Sequence, residues 1–203
     1  MLQQILLACW LIFVFYWFVS SWFVKPTQEA VWDFSKFRLI IILAVIVLLI
    51  LGRTGLFSAY HIGFCVINWR SCHYSLFVVS PIASPTVQFL GVVLTVIGLC
   101  IAVIARKILA GNWSGSIELK KGHELITSGI YGYVRHPIYT GVLLMSLGSV
   151  LYLQTPVLFI LFFVLVFFVV YKLKKEEELM LKHFPKEYLA YKKRVKMLIP
   201  FVI

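Results

Sequence analysis

Residues 135–141, Arg-His-Pro-Ile-Tyr-Thr-Gly, bring a guanidinium, an imidazole and a phenol to the start of a strongly apolar stretch. Proline is favoured in the first turn of a helix, and the residue before it is pushed toward extended backbone. We therefore expect His136 to mark a helix start and Pro137 to be the first helical residue. Within that helix, Gly141 is expected to permit close approach of a neighbouring helix. The amides of Ile138 and Tyr139 would then lack intrahelical partners and, with the helix dipole, would form a place for an anion or carboxylate.

The residues of this segment allow two interpretations. Polar groups at the edge of a membrane span are costly to desolvate, so a cluster of them indicates a functional site. Alternatively, they anchor a helix at the membrane interface, with Tyr131, Tyr133, His136 and Tyr139 as belt residues and Arg135 extending to lipid phosphate.

Residues 172–178, Lys-Leu-Lys-Lys-Glu-Glu-Glu, hold three of the eight acidic residues of the chain, directly after the last apolar stretch. Lys172 and Glu176 are four residues apart, which places them on one face of a helix. Pro185 is expected to bend or break that helix, and the lysine-rich amphipathic tail beyond it is predicted to lie on the membrane surface. Alternatively, the three glutamates form a solvated charge run that balances the nearby lysines.

The elements that carry these groups are predicted to be membrane-spanning helices. Hydrophobic residues make up 62% of the 203-residue chain and charged residues 13%, against about 45–50% and about 25% in soluble domains. We therefore predict an all-α integral membrane protein, with a single membrane domain over residues 1–203 and three of its spans in residues 1–104. The short connection at 154–156 predicts that the last two spans form an antiparallel hairpin. The five predicted spans are Leu2–Val24, Leu39–Leu51, Pro85–Ile104, Ile138–Leu153 and Val157–Tyr171.

The basic residues predict the orientation of these spans, because Lys and Arg accumulate on the cytoplasmic side. Residues 1–24 and 154–156 contain none of the 19 basic residues, whereas residues 105–136 contain five and residues 172–203 contain nine. An odd number of spans with the C-terminus in the cytoplasm follows. The net charge of +11 favours contact with anionic membrane lipids. Nucleic-acid binding is the weaker interpretation, because the basic residues lie beside predicted membrane spans and not on a soluble groove. The inner membrane and the endoplasmic reticulum both remain open.

The loops between the spans carry few other signals. Residues 25–38 are predicted to be a polar loop, and residues 55–84 mix aromatic and polar side chains as in an interfacial belt. Cys9 and Cys100 lie within predicted spans, as small packing residues. The spacing of His61, Cys65, Cys72 and His73 matches no zinc pattern, so no metal is predicted; a Cys65–Cys72 disulfide would require an oxidising compartment.

Taken together, the polar segments resemble the isoprenylcysteine carboxyl methyltransferase family. The resemblance runs from residues 123–131 into 135–141, then through Glu176 and Glu177 to Phe184, Tyr188 and Tyr191. It covers residues 105–203. This resemblance implies S-adenosylmethionine as methyl donor, bound in a cytoplasmic pocket formed by the 108–136 loop, the last helical hairpin and the C-terminal helix. It also implies a lipid-modified acceptor that reaches the site from the bilayer.

Position by position, the resemblance implies a set of cofactor contacts. Residues 123–126 would line the adenosine, Tyr131 would contact the cofactor, and residues 136–139 would hold its amino-acid end. Glu176 would complete the pocket, and Glu118 stands where some relatives place a glutamine. The implied cofactor-binding residues are Glu118, His123, Glu124, Leu125, Ile126, Tyr131, His136, Pro137, Ile138, Tyr139 and Glu176.

The implied catalytic residues are Glu176 and Lys172. The family usually has arginine four residues before this glutamate, and this chain has Lys172. Lysine keeps the positive charge but loses the bidentate fork that matches a carboxylate. Lys172 is therefore expected to hold the acceptor carboxylate more loosely or to serve a different acceptor, and Arg135 is a second candidate for binding it.

Two other functions compete with methylation of an isoprenylcysteine carboxylate. A phospholipid N-methyltransferase would share related motifs but would need its acceptor ammonium deprotonated first. A non-enzymatic membrane scaffold would use the same residues only as interfacial anchors. The membrane sterol reductases, which use a nicotinamide cofactor, are related by fold, but this chain is short for that group.

Overall fold

The computed structural model describes residues 1–32, 84–154 and 156–200. The predicted span Leu39–Leu51, the belt-like residues 55–83 and the possible Cys65–Cys72 disulfide lie outside the described residues.

Helices make up most of the described residues. Short 3-10 turns follow the first two of the long helices, at Ser21–Phe23 and Ala110–Asn112, and a third lies in a loop at Gly129–Gly132. The α-helices are α1 (Leu2–Ser20), α2 (Pro85–Leu109), α3 (Pro137–Leu153), α4 (Pro156–His183) and α5 (Pro185–Arg194), and the strands are β1 (Thr27–Trp32) and β2 (Ile117–Lys120).

Two of these helices are long and apolar enough to cross a membrane. Among the described residues they are α1 with its following turn, Leu2–Phe23, and α2 with its following turn, Pro85–Asn112. Helix α3 is apolar but shorter, with 17 residues. The described part of the protein is thus mostly helical with two candidate spans, and the count of five spans stays a prediction.

Prolines set the starts of the helices around the polar segments. Pro137 begins α3, with His136 as its N-cap outside the helical conformation, as predicted. Helix α4 ends at His183, and Pro185 begins α5. The predicted break at Pro185 is therefore confirmed, because proline removes an intrahelical donor and collides with the preceding turn.

Helices α2 and α3 are in direct backbone contact through glycines. A Cβ on Gly98 would lie 2.5 Å from the Gly141 carbonyl oxygen and 2.7 Å from the Met145 amide nitrogen. The close approach predicted at Gly141 is confirmed. Small residues that let helix backbones approach are a common basis of helix packing in membranes.

The two cysteines in these helices differ in environment. Cys9 is buried against Leu99 and Met145, as predicted for a packing residue. Cys100 is exposed, so the same prediction was wrong for it. An uncharged span gives no sequence signal for which helix face meets a neighbouring helix.

A two-stranded antiparallel ribbon makes the all-α prediction wrong in part. Strand β1 falls in the predicted loop 25–38 and pairs with β2 from the loop 108–136, with Thr27 opposite Lys120 and Ala30 opposite Glu118. Strands this short carry a weak periodic signal. Their pairing also joins segments far apart in the chain, which local sequence cannot reveal.

Candidate functional site

A cavity lies between β2, the loop that follows it, the start of α3, the charged end of α4, and α5. It encloses about 840 Å³ including its open mouth. The predicted cofactor residues, apart from Pro137, all line it, and so does Arg135. Pro137 is buried at the start of α3. Segments 118–126, 131–139 and 176–191, separate in sequence, therefore meet at one cavity.

One wall of the cavity is apolar and aromatic. Tyr131 and Ile138 are buried together with Ala105, and Ile126 and Trp113 pack on them. Leu125 packs on a neighbouring cluster built around Tyr188 and Tyr191. Such a surface can receive a flat, mostly apolar ring system such as a nucleobase.

His123 adds an imidazole ring to the cavity lining. Its Nδ1 is buried without a hydrogen-bond partner among the described residues, and buried polar atoms are rarely left unpaired. Burial, together with nearby Lys25, lowers the pKa of His123, so its imidazole is neutral at physiological pH. A neutral ring with an unpaired nitrogen is suited to exchange a hydrogen bond with a bound molecule.

The opposite end of the cavity is acidic. The Tyr139 hydroxyl donates to Glu176 Oε1 at 2.8 Å, and His136 Nδ1 lies 3.8 Å from Glu176 Oε2. Lys172 Nζ lies 3.6 Å from Glu176 Oε1, donates to the Gly115 carbonyl at 2.8 Å and sits 5.3 Å from the centre of the Tyr139 ring. The predicted pair on one helix face therefore forms, with the carboxylate held from several sides.

Glu177 forms a buried charge cluster behind this end, and its partners were not predicted. Arg135 donates to Glu177 Oε1 from Nε at 2.8 Å and from Nη2 at 2.5 Å, and Lys192 Nζ lies 2.7 Å from Glu177 Oε2. Burial by itself would raise the pKa of Glu177, but hydrogen bonds from His136, Lys192 and Arg135 outweigh it and lower the pKa to about 2. Glu177 is therefore a buried carboxylate that stays ionised.

Arg135 joins this cluster to the C-terminal segment. Its Nη1 donates to the Val195 carbonyl, its backbone amide donates to the Lys196 carbonyl at 2.8 Å, and the Thr140 hydroxyl donates to the Leu198 carbonyl at 2.8 Å. The guanidinium is buried and bonded within the protein. Arg135 thus helps to hold residues 195–198 against the start of α3. Acceptor binding by Arg135 stays a prediction.

The two remaining predicted acids, Glu118 and Glu124, differ in exposure and in partners. Glu118 accepts hydrogen bonds from Ser114 Oγ at 2.6 Å and from Lys120 Nζ. Burial would raise the pKa of Glu118, but these hydrogen bonds dominate and lower it. Glu124 leaves 74% of its side chain exposed, with Lys25 Nζ 3.9 Å away.

Of the three tyrosines that could form an interfacial belt, Tyr131, Tyr133 and Tyr139, only Tyr133 has the exposure of such a residue. Tyr133 is 66% exposed, as an interfacial residue would be, whereas Tyr131 is 6% exposed. His136 and Tyr139 line the cavity.

Several lining residues were not predicted from the sequence. Leu179 and Met180 follow Glu176 by three and four residues, so helical spacing alone would have placed them on its face. Residues 112–116 lie in the short turn after α2 and in the loop to β2, where no periodic pattern exists. The unpredicted lining residues are Leu109, Asn112, Trp113, Ser114, Ser116, Leu179, Met180, Tyr188 and Tyr191.

No group of three His, Cys, Asp or Glu side chains that could hold a metal ion occurs within the described ranges. His61, Cys65, Cys72 and His73 fall outside those ranges.

Comparison with known proteins finds a family that part of this chain resembles. Residues 90–182 match the isoprenylcysteine carboxyl methyltransferase (ICMT) family. Protein-S-isoprenylcysteine O-methyltransferase of Rattus norvegicus is 33% identical over 115 residues, which cover 55% of this chain and 40% of the rat protein. The Homo sapiens protein of that name is 34% identical over 115 residues, covering 55% and 40%. The Saccharomyces cerevisiae protein is 32% identical over 124 residues, covering 60% and 52%.

A solved structure supports the same relationship at the level of fold. The eukaryotic intramembrane Ras methyltransferase ICMT matches with a TM-score of 0.51 and 24% identity, over 58% of this chain and 43% of that chain. The chain therefore spans about half or less of the length of the relatives it matches. The predicted resemblance to the isoprenylcysteine carboxyl methyltransferase family is confirmed, and the match with residues 90–182 includes most of the cavity.

Proposed function

We propose that this chain is a membrane-embedded, S-adenosylmethionine-dependent methyltransferase that methylates the carboxylate of an isoprenylcysteine-like, lipid-modified acceptor. The observation that carries the proposal is one cavity in which the predicted cofactor segments meet, within a chain that matches the family over residues 90–182. The relatives' names describe this reaction for those proteins.

The residues present fit the two ends of the cofactor. The aromatic and apolar wall around Tyr131, with the unpaired Nδ1 of His123, would receive the adenine. Glu176, held by Tyr139, would receive the positively charged amino group at the other end. When bound, S-adenosylmethionine supplies an electrophilic methyl group on a positively charged sulfur.

For a carboxylate acceptor, the main task of the protein is to place the carboxylate and the methyl donor correctly. A carboxylate is already ionised at physiological pH and needs no general base before it attacks the methyl carbon in line with the breaking bond to sulfur. Lys172 is not among the residues that line the cavity, but its amino group lies 3.6 Å from Glu176, which is one of them. From there it would hold this carboxylate as a point charge. Correct alignment of two reactants can contribute roughly 7–11 kcal/mol to lowering a barrier.

The packing around Lys172 keeps its amino group in place. Its bond to the Gly115 carbonyl and its position over the Tyr139 ring fix the lysine without the fork of an arginine. We therefore assign Lys172 the orientation of the acceptor, with a looser geometry than arginine would give.

The membrane arrangement completes the proposal. The charged ends of α2 and α4 and the basic tail would face the cytoplasm, since basic residues concentrate there. Helix α3 and the apolar part of α4, with the predicted span Leu39–Leu51, would join the two candidate spans as a five-span bundle. The lipid part of the acceptor would then enter from the bilayer while its carboxylate reaches the cytoplasmic cavity.

Binding of S-adenosylhomocysteine to the purified chain tests the enzyme assignment. We expect calorimetric binding by the wild type and a loss of at least about tenfold in affinity in Glu176→Ala, because a charge-assisted contact contributes roughly 1.5–3 kcal/mol. Glu178→Ala is the matched control, since Glu178 is an exposed glutamate two residues away. Absence of binding by the wild type would refute the methyltransferase assignment.

The acceptor is tested separately with methyl-labelled donor. Base-labile label on a prenylcysteine analogue would show a carboxyl methyl ester. Stable label on phosphatidylethanolamine would instead show amine N-methylation and would overturn the proposed acceptor.

A further inference from the structure

A second cavity lies between the C-terminal ends of α1 and α2. It encloses about 650 Å³ including its open mouth and shares no lining residue with the first cavity. Tyr16, Val19 and Phe23 form its apolar side, and Arg106 and Lys107 form its basic side. A cavity with a cationic side and an apolar side is suited to an amphiphilic anion.

Arg106 is a buried cation with an unused donor. It is 3% exposed. Its Nη1 donates to the Ala110 carbonyl at 2.6 Å and its Nη2 to the Ser20 carbonyl at 2.7 Å, whereas its buried Nε has no hydrogen-bond partner among the described residues. The two carbonyl bonds tie the ends of α1 and α2 together, and the guanidinium also lies over the Trp113 ring, 4.6 Å from its centre. None of these partners carries a negative charge.

Within the described part of the chain, no acidic side chain forms an ion pair with this basic side. None of the ion pairs among residues 1–32, 84–154 and 156–200 involves Arg106 or Lys107. Lys107 is exposed beside Arg106. Two adjacent cations with no acid between them attract an anion, and the attraction is strong where one cation is shielded from water.

The surroundings place this cavity at the level of lipid headgroups. It sits at the same end of both candidate membrane spans. Phe18, Trp22 and Phe23 are 54%, 69% and 73% exposed around the end of α1, and exposed aromatic side chains at a helix end mark the membrane interface. Basic pockets between membrane helices at this depth recognise phosphate-bearing headgroups.

We propose that this second cavity binds the phosphate of an anionic glycerophospholipid. Arg106 holds the phosphate from inside and Lys107 from the mouth, while the acyl chains lie along the exposed apolar side chains of α1. The proposal is independent of the methyltransferase assignment, because it rests on a separate set of residues.

Lipid binding by the purified full-length chain tests this proposal. In native mass spectrometry, titration with dioctanoyl phosphatidylglycerol should show one lipid bound more tightly than dioctanoyl phosphatidylcholine. Lys107→Gln should weaken phosphatidylglycerol binding about tenfold, the effect of losing one charge-assisted contact. Lys174→Gln, which removes an exposed lysine outside the cavity, should leave binding unchanged.

A second variant separates the cavity from general surface charge. Val19→Trp keeps both cations but fills the cavity, and it should also reduce phosphatidylglycerol binding; the thermal unfolding temperature of each variant checks its fold. Equal affinity for the two lipids, or equal losses in Lys107→Gln and Lys174→Gln, would overturn the proposal. If inorganic phosphate displaces the lipid at a similar concentration, the ligand of this cavity is free phosphate and the lipid proposal is overturned.

Discussion

The two cavities near the C-terminal end of α2 differ in how their charges are paired. Behind the lining of the first, buried Glu177 is surrounded by Arg135, His136 and Lys192. In the second, Arg106 and Lys107 face no acid within the described residues. Side chains that are paired within the protein hold their geometry before a ligand arrives. A buried cation without a counter-charge is instead stabilised by the anion that it binds.

This contrast suggests different uses for the two sites. The first cavity needs preorganised side chains, because a transfer reaction depends on alignment of the reacting atoms. The second needs only complementary charge and apolar contact. The following predictions test whether internal pairing is what distinguishes the first cavity.

The largest effect on stability is expected from breaking the buried ion pair between Arg135 and Glu177. Glu177→Gln leaves Arg135 buried without its counter-charge, and loss of one partner of a buried ion pair costs about 3–5 kcal/mol. We therefore expect a lower free energy of unfolding, measured by thermal or denaturant unfolding in detergent, with Glu178→Gln as the exposed control. The double variant Arg135→Met with Glu177→Leu should recover part of the loss, since no buried charge remains. An unchanged unfolding midpoint in Glu177→Gln would show that the pair contributes little.

The same pair predicts a dependence of stability on acid. The pKa of Glu177 is about 2 in the folded protein against an ordinary value of 4.5, so its stabilising contribution is present above about pH 4.5 and is lost as pH falls toward about 2. The difference in unfolding midpoint between wild type and Glu177→Gln should therefore shrink from about pH 6 to about pH 3. A difference that stays constant over this range would contradict a low pKa for Glu177.

The smallest effect is expected at the acidic end of the first cavity. Tyr139→Phe removes the hydroxyl that donates to Glu176 at 2.8 Å, so the carboxylate is less well held for the cofactor. Affinity for S-adenosylhomocysteine should fall by up to about tenfold, the equivalent of one hydrogen bond to a charged group. Tyr133→Phe is the matched control, because Tyr133 is 66% exposed. Equal affinities in the two variants would remove Tyr139 from the cofactor site.

Local patterns predicted local structure well around the polar segments. The start of α3 at Pro137, the break before Pro185 and the close approach at Gly141 each follow from one residue type acting within a few positions. The gathering of the predicted cofactor residues at one cavity also agrees with the resemblance. Their contact with a cofactor stays a prediction.

Contacts between distant segments were missed for a common reason. The β1–β2 ribbon, the Arg135–Glu177 pair and the attachment of residues 195–198 to the start of α3 all join parts of the chain that lie far apart in sequence. A single sequence shows which residues can pair but not which pairs form. Within an apolar span, the sequence also does not reveal which helix face meets a neighbouring helix. It therefore did not predict that Cys100 is exposed while Cys9 is buried.

The sequence by itself determined the apolar helices, the positions of their prolines, and the concentration of charge beside them, because these depend on composition and short-range sterics. The resemblance already assigned Glu176 to the pocket, but only the tertiary structure showed that its neighbour Glu177 pairs with Arg135 and Lys192. Adjacent residues on a helix point about 100° apart, so one carboxylate faces the cavity and the other faces Arg135. Which carboxylate faces the cavity depends on how α4 is rotated against α3 and α5. That rotation is fixed by packing between segments distant in the chain.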